Sequence, residues 1–189
     1  MRRVAIVLLL AGCPAANESR VSTASWVVEG ATRVERAVDD REAGRVTCTV
    51  DRDPDDPLDA TPLFTLAITA ASDGREAPGI FFAVRDFQGA ATYDLGLGAR
   101  GRVLLFDATT LEACADPAET RCFVAEGGCS LFVERWELGT VVAPGVRNGS
   151  AVGRFDCASL ENPATEGTVR LSSGSFTCRA SDWTASRGP

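Results

Sequence analysis

Apolar and polar residues alternate with period two along most of this chain. Residues 64–70 place Phe64, Leu66 and Ile68 on one face and Thr65, Ala67 and Thr69 on the other. Residues 45–50 alternate in the same way and are rich in β-branched side chains, as strands are. Further strands are expected over 80–87, 92–95, 102–106, 122–125, 129–138, 150–157 and 168–178. Gly, Pro, Asn and Asp punctuate these segments, and Gly127-Gly128 separates two of them. A helical period is scarce. Residues 33–42 read either as one short helix or as a polar strand with a loop, and residues 109–118 as a single helical turn. A parallel sheet needs crossover helices, and none of sufficient length is available. The pattern predicts a single all-β domain, an antiparallel sandwich or barrel-like fold.

The first residues follow a different rule. Arg2 and Arg3 precede an unbroken apolar run from residue 4 to 11, too short to span a bilayer but of signal-peptide length. The run ends Leu10-Ala11-Gly12-Cys13, which resembles a bacterial lipoprotein signal: small residues before a cysteine that carries lipid. That resemblance implies lipidation at Cys13 and a membrane partner reached through the acyl chains, each buried methylene contributing about 0.8 kcal/mol. Residues 1–12 are then a signal peptide, 13–25 a small, polar tether, and 26–189 the β-domain. The expected location is the cell envelope, lipid-anchored and facing the periplasm or exterior.

Composition narrows the chemistry. Among 189 residues there is no His, and every basic residue is Arg. Schiff-base lysines, a P-loop lysine and Ser-His-Asp catalysis are therefore excluded. Loss of Arg2 and Arg3 moves the formal charge from −7 to −9, so nucleic acid is not an expected partner.

The cysteine count points the same way. Setting Cys13 aside leaves six: Cys48, Cys114, Cys122, Cys129, Cys157 and Cys178. An even set in an exported chain predicts three disulfides. The spacings between Cys114, Cys122 and Cys129 are too long for a zinc knuckle. Cys114 and Cys122 flank Asp116-Pro117, so a local bridge is easy. Cys129 and Cys157 bracket a predicted hairpin whose loop contains Pro144-Gly145 and Asn148-Gly149. Placing Val133 opposite Gly153 there puts Cys129 opposite Cys157. Cys48 and Cys178 remain to tie the first strand to the last. The competing pattern joins Cys157 to Cys178. A hairpin centred near Pro163 argues against it, because Cys157 would then face Val169.

Two segments echo each other. Gly153-Arg154-Phe155-Asp156-Cys157 and Gly174-Ser175-Phe176-Thr177-Cys178 both read G-x-F-x-C. At period two, Gly, Phe and Cys share a face, and the Gly leaves room for a large neighbour. Together with Gly89-Ala90-Ala91-Thr92-Tyr93-Asp94-Leu95-Gly96, these strands resemble a group of uncharacterised bacterial lipoproteins over roughly residues 45–179. The resemblance implies a compact antiparallel β-sandwich-like domain and no catalytic residues.

Other chemistry is sparse. Five Asp fall within residues 51–59, and Asp51, Asp53 and Asp55 are candidate Ca²⁺ ligands, although the stretch lacks the Gly and Glu of an EF-hand. A solvated acidic loop is the simpler reading. Trp26, Trp136 and Trp183 are read as core plugs or lids in preference to a sugar-stacking platform. No cofactor is expected. The chain reads as a non-catalytic binding or structural module that meets an envelope glycan or protein. The alternatives are a carboxylate-based polysaccharide hydrolase, which needs two acids across a cleft, and a calcium-stabilised adhesion module.

Overall fold

The structure, a computed structural model, describes residues 21–41, 44–52, 62–71, 76–96 and 101–180. Cys13, Asp53, Asp55 and Trp183 lie outside the described residues. Ten strands follow one another: β1 (Thr23–Glu29), β2 (Arg33–Asp39), β3 (Arg45–Arg52), β4 (Pro62–Thr69), β5 (Ala77–Val84), β6 (Ala91–Leu95), β7 (Gly101–Thr109), β8 (Cys122–Ala143), β9 (Val146–Glu161) and β10 (Thr168–Cys178). One 3₁₀ turn, Glu112–Ala115, precedes β8. Among the described residues no helix is long and apolar enough to cross a membrane.

All pairings are antiparallel. One layer runs β2-β1-β10-β9-β8-β6 and the other β3-β4-β5-β7. The layers are stitched at two corners. Near the β8–β9 turn, Asn148 and Arg147 of β9 face Thr49 and Val50 of β3. At the other end, Val124, Phe123 and Cys122 of β8 face Leu104, Leu105 and Phe106 of β7. Strands β3, β4, β5, β7, β8 and β9 therefore close a ring. The fold is a sandwich whose layers join into a barrel, the architecture the alternation predicts.

The core lies between the layers. Phe64, Leu66 and Ile68 of β4, and Ile80, Phe82 and Val84 of β5, are fully buried. Leu131 and Val133 of β8, Phe155 of β9, and Leu171 and Phe176 of β10 close over them. Each such side chain contributes roughly 1.5–3 kcal/mol when removed from water.

Several local expectations need correction. Of the two readings of residues 33–42, the strand holds over the described positions and the helix does not. Arg33–Asp39 is edge strand β2, whose charged outer positions suit an exposed edge. The first strand begins at Thr23, inside the segment read as tether. Ser22 is already buried, and its N–H donates to Asp40 Oδ2 at 3.0 Å. Gly127-Gly128 does not separate two strands: Gly127 still faces Ser159 within one continuous strand, and the register shifts just before it, between Ala125 and Gly127. Asn148-Gly149 is not a turn. Chain reversal occurs at Pro144-Gly145, where Gly145 has φ 79°, while Asn148 lies in β9. Its Oδ1 accepts from Thr140 N–H at 2.7 Å, where the β8–β9 ladder lapses.

The hairpin between β9 and β10 turns later than Pro163. Buried Asn162 fixes it: Oδ1 accepts from Ala164 and Thr165 N–H, both at 2.9 Å, and Nδ2 donates to the carbonyls of Thr120 and Cys122. Cys157 consequently faces Leu171, not Val169.

Candidate functional site

The solvent face of the first layer carries a trough of about 550 Å³. It runs across β2, β1, β10 and β9 to the rim of β8. Its floor is made of short side chains, which is why a twisted sheet is concave there. Thr23 faces Thr177 and Ser25 faces Ser175 in the β1–β10 ladder. Period two turns all four hydroxyls to the same side. The Ser25 and Ser175 Oγ atoms lie 3.0 Å apart. Ala37 and Val152 extend the floor on either side.

Charged side chains stand at the ends. Glu134 accepts from Arg154 Nε at 3.0 Å, and the Arg154 guanidinium sits 5.1 Å from the Phe132 ring centroid. Asp39 Oδ1 accepts from the Arg41 N–H at 2.9 Å. Exposed ion pairs of this kind add little stability. Hydroxyls between opposite charges instead offer donors and acceptors to a polar ligand.

The alternation of Thr23 and Ser25 with Ala24 and Trp26 could have revealed this floor from sequence. The high Ser and Thr content gave residues 13–25 the profile of a tether.

The two described tryptophans, Trp26 and Trp136, pack against other side chains and do not form a platform. Trp26 is 1% exposed and belongs to the core. Trp136 packs edge-on against Phe64 and Phe87, with centroids 5.5 and 5.3 Å away, and lies over the backbone of Gly149. Phe87 also stacks on Tyr93 at 5.4 Å. The Tyr93 hydroxyl donates to the Gly89 carbonyl at 2.8 Å and accepts from Gln88 N–H at 3.0 Å. Gly89, at φ 91°, makes that loop possible. Burial pushes the Tyr93 hydroxyl above its ordinary pKa, and these two hydrogen bonds oppose the shift.

Of the candidate calcium ligands, Asp51 is half-buried at the end of β3. Among the described residues no three Asp, Glu, Cys or His side chains gather as a metal site.

Cys114–Cys122 and Cys129–Cys157 are disulfides. Val133 faces Gly153 and Cys129 faces Cys157, the register inferred from spacing. Cys48 and Cys178 are brought together as the third expected pair, as neighbouring buried thiols that are not joined in this structure. They come from β3 and β10, which flank β9 on the same side and do not pair with each other. Burial, and then the Cys178 thiol, push the Cys48 thiol well above its ordinary pKa. A neutral buried thiol is a poor nucleophile.

Sequence reasoning also missed the ion pair below the Cys114–Cys122 loop. Glu119 accepts from the Arg121 backbone N–H, Nε and Nη2, each at 2.9 Å. Arg121 Nη1 reaches the Ala108 carbonyl at 2.7 Å and Glu76 at 3.1 Å. These bonds hold the loop against β7 and are structural.

Compared with known proteins, the chain matches no family model, no curated protein and no solved structure.

Proposed function

We propose that this chain is a lipid-anchored cell-envelope binding module without catalytic activity, and that its trough receives an envelope glycan. The observation that carries the reading is the floor of four facing hydroxyls, Thr23, Ser25, Ser175 and Thr177, in a concave sheet face of about 550 Å³. A polyol presents alternating donors and acceptors, and such a floor can pair with them directly or through ordered water.

Position supports the same reading. Lipidation at Cys13 would leave ten residues before Thr23, which itself lines the trough. Ten residues span at most about 35 Å, so the trough would stay close to the anchoring membrane. Two disulfides suit an oxidising compartment outside the cytoplasm. The trough's two carboxylates, Glu134 and Asp39, both engage arginines, which favours binding over a hydrolytic acid–base pair.

Co-sedimentation with insoluble envelope polysaccharide tests the proposal. The purified protein should pellet with the glycan, and Ser25→Val with Ser175→Val should reduce the bound fraction several-fold. Equal pelleting of the double variant would remove the trough from the account.

A further inference from the structure

The outer face of the second layer carries a separate cleft of about 180 Å³. Strand register builds it. Arg45 of β3 faces Thr69 of β4, Thr69 faces Gly79 of β5, and Gly79 faces Phe106 of β7. These four residues form one row across four strands. Period two turns that row away from the neighbouring core side chains, Ile68 and Ile80. Gly79 leaves a gap in the row, and the Phe106 ring fills it: a Cβ on Gly79 would overlap that ring. Residues past the end of β7 supply the far wall, where Leu111 and Glu112 line the cleft.

Two charges of opposite sign line this cleft without meeting. Arg45 comes from β3 and Glu112 from the turn after β7. Both residues are exposed, and neither side chain has an ion-pair or hydrogen-bond partner among the described residues. The row from Arg45 to Phe106 crosses three strand spacings, about 14 Å, which keeps the two charges apart. Between them the lining is short or apolar: Ala67, Phe106 and Leu111. The cleft therefore presents a cation, an apolar middle and an anion in that order.

We infer that this cleft binds a dipeptide-sized zwitterion, whose carboxylate accepts from the Arg45 guanidinium and whose ammonium donates to the Glu112 carboxylate. The ligand's charges answer both ends of the cleft, and its short apolar side chains cover Ala67 and Leu111. The separation of the two ends selects against a single α-amino acid, whose charges share one carbon. Both ion pairs stay open to solvent, so binding is weak and falls as salt rises. The site is separate from the trough, which lies on the outer face of the other layer, so either can fail without the other.

Alanylalanine, its N-acetyl derivative and its C-terminal amide are the probes: the second lacks the ammonium and the third lacks the carboxylate. Binding to the full chain is read from the backbone amide shifts of Arg45, Thr69, Leu111 and Glu112. Alanylalanine at millimolar concentration should move these signals to saturation. Each blocked form should bind about fivefold more weakly at low salt. Arg45→Gln should close the gap between alanylalanine and its amide and leave the gap to the N-acetyl form. Glu112→Gln should do the converse. Both residues are exposed, so neither substitution unsettles the fold. Unmoved signals, equal affinity for the three probes, or a variant that keeps the gap it should close would each overturn the inference.

Discussion

Phe176 lies directly across from Gly153, and two residues along the same ladder Gly174 lies across from Phe155. Each ring occupies the space that the opposite glycine leaves. A Cβ on Gly153 would sit 2.7 Å from the Phe176 ring and would also crowd the Phe132 carbonyl. A Cβ on Gly174 would overlap the Phe155 ring. The two G-x-F-x-C segments are thus one reciprocal packing solution, in which aromatic rings cover the glycines of a neighbouring strand.

Gly153→Ala and Gly174→Ala should each destabilise the domain by roughly 1–3 kcal/mol, as overpacking does. Urea denaturation would show this as a lower midpoint at unchanged slope. A midpoint equal to that of the unaltered protein would remove the reciprocal packing.

Tyr93→Phe keeps the ring on Phe87 and removes two hydrogen bonds to the Gln88–Gly89 loop. About 1–2 kcal/mol of stability should be lost. The amides of Gln88 and Gly89 should exchange faster with solvent, whereas amides of β4 and β5 should not. Uniform loss of protection across the sheet would contradict a local role.

Cys48 and Cys178 should resist alkylation in the native protein, because both are buried and Cys48 is held protonated. Oxidation with diamide should join them, and peptide mapping should then find a Cys48–Cys178 link. Its long loop would add up to about 5 kcal/mol by the chain-entropy model, before strain. Labelling of either thiol in the folded protein, or a Cys157–Cys178 link, would oppose this arrangement.

The carboxyl of Glu119 is held down to about 2, first by its hydrogen bonds to the Arg121 side chain and then by the Arg121 backbone N–H. The folded state therefore favours the carboxylate. Its contribution is present above the ordinary glutamate range and is lost as pH falls toward 2. An NMR titration of the Glu119 side chain should show a midpoint near 2, and Glu119→Gln should remove that part of the acid-induced loss of stability. A midpoint near 4.3 would mean that the Arg121 contacts do not persist in solution.

Strands whose inner positions are large and apolar were legible in the sequence. The alternation of Phe64, Leu66 and Ile68 fixes a face without any tertiary information. So does the matched pair Val133 and Gly153, from which the Cys129–Cys157 bridge follows. Edge strand β2 was ambiguous because only Val38 among its residues is fully buried, so its period is faint. Strand β1 was not foreseen for a related reason: Ser22, Thr23 and Ser25 look like linker residues until β10 is placed beside them. The same ambiguity hid the trough, whose floor comes from two strands about 150 residues apart in sequence. Bulges around Ser173 and between Ala125 and Gly127 shift register through backbone conformation, and alternation alone does not reveal them.

The central claim is that the hydroxyl floor of the trough binds glycan, and shift mapping with soluble envelope oligosaccharide tests it most directly. The largest amide shifts should fall on Thr23, Ser25, Arg154, Ser175 and Thr177, should saturate with ligand, and should vanish in Ser25→Val with Ser175→Val. Shifts absent from these five residues, or spread evenly over both layers without saturation, would contradict the claim.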